Sequence, residues 1–231
     1  MKRRTLIDFL VPGLVLVIMT LLLGLTKADL WIESFFYKPG SGWVYAHDQP
    51  WKVLYRYGAL PGLMIGVSAL ITYLASFFYD RIHRYRKMAL YFLLLLALGP
   101  GLVIPVFKSF WGRPRPRQME SFGGARTYQP VWQKGVAGEG RSFPSGHASI
   151  AFYVMAPFFV LRRSFRKWAL VSLALGLFYG ALMGIARMVQ GGHFMSDVLW
   201  SGGFVYLMGL LLFYVLHMDE ERQHAEDVTG T

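Results

Sequence analysis

The chain has 231 residues, of which 55% are hydrophobic, 16% aromatic and only 16% charged; this is too apolar for a soluble domain of that size and indicates one integral membrane domain. The net charge of +11 lies in clusters beside apolar runs instead of one solvated patch or tail, which argues against nucleic acid as a partner and for a lipid bilayer. Cysteine is absent, which excludes disulfides, thiolate catalysis and cysteine-bound zinc and leaves the redox compartment open.

After the basic start Met1-Lys2-Arg3-Arg4, residues 6–25 form an apolar run of about the 20 residues a helix needs to cross a bilayer core. Thr26-Lys27-Ala28-Asp29 lacks a small-x-small cleavage site, so the run reads as a retained first span and not as a signal peptide. Residues 29–57 are too polar to span but carry nine aromatic residues, among them Trp31, Trp43, Trp51 and Tyr55. Amphipathic aromatics favour the headgroup layer, which predicts an interfacial segment, either an anchor belt or a lid or groove for a lipid.

Further spans are expected at 58–79, 88–107, 144–161, 168–186 and 197–216, with Gly99-Pro100-Gly101 kinking the third. Residues 108–142, rich in Gly, Pro and Arg without apolar periodicity, read as a long extramembrane loop. A short, mostly acidic tail after residue 217 is expected to fray. The expected architecture is all-α, a six-helix membrane bundle.

Lys and Arg divide equally between the two membrane faces, so the raw tally does not orient the chain. The short loops do: 80–87 and 162–167 each carry four cations next to span ends, which puts both termini in the cytoplasm by the positive-inside rule. The loops before spans four and six then meet on the opposite face. Three polar segments distant in sequence converge there.

The first segment, Lys108-Ser109-Phe110-Trp111-Gly112-Arg113-Pro114-Arg115-Pro116, holds Lys108 and two further cations, Arg113 and Arg115, on a stiff, proline-rich chain. Proline fixes the backbone and lowers the cost of positioning the guanidiniums, which grip phosphate bidentately where an ammonium acts as a point charge. In the second, Phe143-Pro144-Ser145-Gly146-His147, a proline opens a helix whose free N–H groups suit an anion. Gly146 admits close approach to the backbone, and His147 stands ready to exchange a proton. The third is Arg187-Met188-Val189-Gln190-Gly191-Gly192-His193-Phe194-Met195-Ser196-Asp197. Asp197 lies one helical turn after His193, so a carboxylate can fix the imidazole's tautomer while the other nitrogen attacks. A structural His–Asp pair is the bland alternative. Two histidines and a carboxylate could also bind zinc or iron, but Lys108, Arg115 and Arg187 repel a divalent ion, and the charge balance favours a tetrahedral oxyanion.

Taken together, Lys108-x6-Arg115-Pro116, Pro144-Ser145-Gly146-His147 and Arg187-x5-His193-x3-Asp197 resemble the type 2 phosphatidic acid phosphatase superfamily, whose members need no metal and share a phosphate site with vanadium haloperoxidases. The resemblance implies a cofactor-free enzyme of the bacterial inner membrane that acts on a phosphorylated membrane lipid at the periplasmic face. It implies that His193 becomes a phosphohistidine, Asp197 orients it and His147 protonates the leaving oxygen. Lys108, Arg115, Arg187, Ser145 and Gly146 would hold the phosphoryl oxygens. Where the family usually has Ser before the third-motif Arg, this chain has Ala186. Gly99-Pro100-Gly101, Trp111-Gly112-Arg113-Pro114-Arg115-Pro116, Gln129-Pro130 and the glycine-rich third motif resemble the lipid A 4′-phosphatase branch. Phosphatidylglycerophosphate and undecaprenyl diphosphate phosphatases use the same core. A haloperoxidase, and a non-catalytic phospholipid sensor or transporter, are readings from other classes.

Overall fold

A computed structural model describes residues 3–218, so the expectation for the acidic tail falls on 219–231, outside the described residues. The fold is a bundle of α-helices with one small hairpin. Helix α1 (Arg3–Leu25) leads into the short α2 (Ala28–Ser34), then a hairpin of β1 (Tyr37–Lys38) and β2 (Gly42–Trp43). Helices α3 (Trp51–Tyr57) and α4 (Leu60–Ala75) follow almost without a break. The expected boundary at residue 58 is thus only a two-residue joint. Lys52 and Arg56 made 51–57 look too polar, yet that run contains no helix breaker before Gly58.

The short α5 (Asp80–His83) precedes α6 (Arg86–Leu98). The expected kink is a π-helical segment at Gly99–Val103, after which α7 (Ile104–Phe110) continues. Then come α8 (Gly146–Phe152), a 3₁₀ turn at Tyr153–Met155, α9 (Pro157–Leu161), α10 (Arg166–Val189) and α11 (Met195–Val215). Among the described residues five helical runs are long and apolar enough to cross a membrane: Thr5–Leu25, Trp51–Ala75, Arg86–Phe110, Arg166–Val189 and Met195–Val215. The apolar run Gly146–Leu161 is shorter, about 24 Å at 1.5 Å per residue. Large apolar side chains of α1, α4 and α10, such as Leu14, Met64 and Phe178, stand exposed, as lipid-facing positions should.

Water does not drive helices together inside lipid, so close packing must hold them. Gly176, Gly180 and Gly184 recur every fourth residue of α10 and present a flat stripe to α8, its 3₁₀ extension and α11. A Cβ at Gly180 would lie 2.1 Å from Phe152, and one at Gly184 2.3 Å from Val198. Phe152, Met155, Phe159, Met183, Val198 and Val205 fill the buried core around this seam. Tyr91 and Tyr153 satisfy their hydroxyls inside it on the carbonyls of Gly209 at 2.9 Å and Phe92 at 2.8 Å.

The 108–142 segment is ordered, pinned by its own polar groups. Trp111 Nε1 donates to the Val131 carbonyl at 2.8 Å, and the Gly135 amide donates back to Trp111 at 2.9 Å. Its Phe122 meets Tyr37 and Trp43 of the hairpin at ring separations of 5.4 and 5.5 Å. Hairpin and loop thereby close over one end of α10 and α11.

Candidate active site

Each motif is positioned by where a helix stops or starts. Lys108 rides the last turn of α7, and its Nζ lies 3.8 Å from where a Cβ on Gly146 would stand; glycine there leaves the ammonium room over the start of α8. Ser145 caps α8 by accepting the Ala148 amide, while its own amide donates to Ser201 Oγ at 2.8 Å. His147 in the first turn faces Tyr55 of α3, with ring centroids 5.1 Å apart.

Arg187 occupies the end of α10, 6% exposed, with its guanidinium carbon 4.5 Å from the Tyr55 ring centre. It donates to Gln190, and its Nε has no hydrogen-bond partner among the described residues. The chain then reverses through Gly191 at φ 58, a conformation open to glycine at little cost. A side chain there would also strike Trp43 of the hairpin, with a Cβ 2.2 Å from the indole. This turn packs Gly192 against Arg187, where a Cβ would meet the guanidinium at 2.6 Å, and sets His193 next to it in the chain.

His193 is 2% exposed, and its Nδ1 lies 3.8 Å from Asp197 Oδ2, beyond hydrogen-bond reach. Nδ1 has no other partner among the described residues. Burial, reinforced by the Lys108 and Arg187 charges and opposed by Asp197, pushes the His193 pKa down from 6.5 to about 4. At neutral pH the ring is therefore an uncharged base.

Asp197, in the first turn of α11 and fully buried, is held from three sides. Ser142 donates to Oδ2 at 2.5 Å, the Phe194 amide to the same oxygen at 2.9 Å, and Arg113 Nη1 to Oδ1 at 2.5 Å. Arg113 is also buried and spends its remaining donors on Ser196 at 2.7 Å, the Gln129 carbonyl at 2.9 Å and Asp29 at 2.9 Å. Asp29 in turn accepts the Ser196 amide at 2.9 Å, the Ser196 hydroxyl, and Tyr128 at 3.2 Å. The two carboxylates raise the Arg113 guanidinium above its ordinary range despite the opposing effect of burial. One turn on from Asp29, Glu33 is buried without a hydrogen-bond partner among the described residues. Burial, then the Asp29 and Asp197 charges, raises it well above the usual carboxylate range.

The structure thus brings Lys108, Gly146, His147, Arg187, His193 and Asp197 to one locality, with Ser145 at its base. Arg115 is half-buried, and its side chain lines a neighbouring cavity of about 170 Å³ with Arg117, Gln118, Gly138, Glu139 and Arg141. A second cavity of about 460 Å³ beside the α9–α10 loop is lined by Ile7, Asp8, Arg162 and Arg163 and contains no motif residue. Sequence reasoning did not single out Asp29, Ser142, Tyr55 or the inward course of Arg113. A polar residue stranded next to an apolar run was the available signal for Asp29. Among the described residues no group of three His, Asp or Glu is arranged to hold a metal.

This constellation coincides with a match to the PAP2 superfamily over residues 88–221. The chain belongs to the PAP2 superfamily. As a PAP2 protein it is a membrane phosphatase, a phosphoric monoester hydrolase. It is 35% identical over 162 residues to a lipid A 4′-phosphatase of Francisella tularensis subsp. novicida, which covers 69% of this chain and 72% of that protein. Lipid A 4′-phosphatases of Rhizobium leguminosarum and Rhizobium etli match at 31% and 33%, each over 57% of this chain and over 55% and 50% of their own lengths. No solved structure matches the chain at a significant level.

Proposed function

We propose that this PAP2 phosphatase removes a phosphate monoester from lipid A at the periplasmic face of the inner membrane, without metal, through a phosphohistidine. The observation that carries the reading is a buried His193 whose Nδ1 faces an anchored carboxylate, Asp197, and whose surroundings include the Lys108 and Arg187 charges. His193 Nε2 attacks phosphorus as the bond to the lipid oxygen breaks, and His147 delivers a proton to that oxygen. Water, giving its proton to His147, then cleaves the N–P bond and releases phosphate. Lys108, Arg115 and Arg187, with Ser145 and the Gly146 amide, hold the three phosphoryl oxygens, and each good donor is worth about 3 kcal/mol in the transition state.

Attack turns the imidazole into a cation, which Asp197 stabilises through Nδ1–H. The 3.8 Å gap shortens on substrate binding, as catalytic hydrogen bonds commonly do between free and bound enzymes. Ala186 stands where the family has a serine, so the phosphate here loses one hydroxyl and relies more on the guanidiniums. The lipid A assignment is supported by the resemblance of the flanking residues and by the named relatives. The periplasmic assignment rests on a six-span topology with cytoplasmic termini, in which 144–161 is read as the short fourth span.

The test is phosphate release by purified protein in detergent, with EDTA present, from lipid A, phosphatidylglycerophosphate, undecaprenyl diphosphate and phosphatidic acid. Lipid A should lead by more than about tenfold, and His193→Ala should abolish turnover. Loss of activity in EDTA, or activity surviving His193→Ala, overturns the mechanism; no preference removes the lipid A assignment. Because the chain lacks cysteine, single cysteines introduced at 84 and 134 report the sidedness of each loop by impermeant labelling.

A further inference from the structure

The cavity beside the catalytic pocket holds more positive charge than one phosphate monoester can use. Arg115, Arg117 and Arg141 line it together, and none of the three forms an ion pair with a carboxylate among the described residues. The one acid in its wall, Glu139, is already paired with Arg126 at 2.8 Å. The guanidiniums are close enough to act on each other: Arg115 is held below its ordinary range first by burial and then by Arg117 and Arg141. The cavity is also tied to the catalytic turn, because the Arg117 amide donates to the Gly191 carbonyl at 3.1 Å. A dianionic phosphate between Lys108, Arg115 and Arg187 is already countered by three cations. Arg117 and Arg141, both exposed to solvent, are left over: neither that phosphate nor a carboxylate among the described residues pairs with them.

We propose that the Arg115–Arg117–Arg141 cavity is a second anion subsite, which takes a further phosphate or carboxylate on the headgroup whose monoester is cleaved at His193. Arg115 stands between the two sites, within charge reach of Lys108 and Arg187 on one side and of Arg117 and Arg141 on the other. The subsite selects headgroups that carry two separated anions over those with one, because only the former neutralises all five cations at once. This rests on the phosphatase reading of His193 but not on lipid A being the substrate.

The experiment uses the full chain in detergent at low ionic strength, where exposed charges are least screened. It compares wild type, Arg117→Ala, Arg141→Ala and the double variant on two substrate pairs. One pair is bisphosphorylated lipid A and the same lipid carrying only its scissile phosphate; the other is phosphatidylglycerophosphate and phosphatidic acid. In each pair the double variant should raise KM for the two-anion lipid by about tenfold or more with kcat unchanged. The one-anion lipid should change by less than about twofold, which also shows that the variant is folded. Equal effects on both members of a pair, or no effect on either, overturn the subsite. If the double variant instead abolishes inhibition by inorganic phosphate while leaving both lipids alike, the cavity binds free phosphate and the headgroup assignment falls. If wild type turns over only the phosphatidylglycerophosphate pair, the lipid A reading fails, and that pair alone decides the subsite.

Discussion

Arg113 and Asp197 form a salt bridge of 2.5 Å with both side chains fully buried, and Asp29 closes the same guanidinium from the other side at 2.9 Å. The carboxylate behind His193 is thereby fixed by a cation from another motif. Removing one partner of such a group strands the remaining charges without water. Arg113→Ala should therefore destabilise the protein by about 3–5 kcal/mol, read as a large fall in thermal midpoint in detergent. Arg113→Lys should recover part of that and still lose most activity, because an ammonium cannot serve both carboxylates in the plane of a guanidinium.

Ser142 tests the orientation of Asp197 more gently. Its hydroxyl reaches the Oδ2 that also faces His193. Ser142→Ala leaves the Arg113 and Phe194 contacts intact and removes one of the two donors that hold Oδ2. A kcat loss of about tenfold with KM little changed is expected, from about 1.4 kcal/mol of hydrogen bonding. A rise in KM alone would show that Ser142 acts on substrate instead.

For His193 the direction of the shift fixes the sign of its pH dependence. A pKa lowered to about 4 means that the neutral base persists as pH falls from 8 and is lost only near pH 4. In ¹⁵N-histidine spectra of the free protein, the His193 resonance, assigned by its loss in His193→Gln, should stay at its neutral position between pH 8 and 5. A midpoint between 6 and 7 would contradict the burial argument.

Tyr55 lies against both His147 and Arg187, a contact between an amphipathic aromatic segment and two motif residues. Its ring face stabilises the guanidinium by about 1 kcal/mol. Tyr55→Phe keeps that face and should change kcat/KM less than twofold, whereas Tyr55→Ala should lower it roughly fivefold.

The seam of α10 offers a stability test remote from the chemistry. Gly180→Val would drive two methyl groups into Phe152, and overpacking of this kind costs about 1–3 kcal/mol. A lower thermal midpoint should appear, with kcat per folded molecule preserved.

The helical membrane class was legible in the sequence because hydropathy reports lipid directly, and the three motifs were legible because spacing on helix ends is local. The partners of those motifs were not. Asp29 and Ser196 are 167 residues apart, and Arg113 is 84 from Asp197; nothing in either neighbourhood signals the other. Asp29 and Tyr55 sat in a stretch whose aromatics suggested the headgroup layer, and that suggestion hid two side chains turned toward the protein. Arg113 and Arg115 are equivalent in a Pro-Arg pattern, yet one is buried under the site and the other opens onto a cavity. Only the tertiary path of the loop separates them.

The π-helical segment at Gly99–Val103 sets an angle as well as a bend. Each residue of an α-helix advances the side chain by about 100°, so the extra residue of a π-turn resets the azimuth of everything after it. Lys108 stands on α7, downstream of that reset, and meets Gly146. Carried forward in the phase of α6, the same lysine would point elsewhere around the helix. The Gly-Pro-Gly interruption thus acts as the dial that aims the first motif at the second, and deleting a single residue there would turn Lys108 out of the site without touching any of the three motifs.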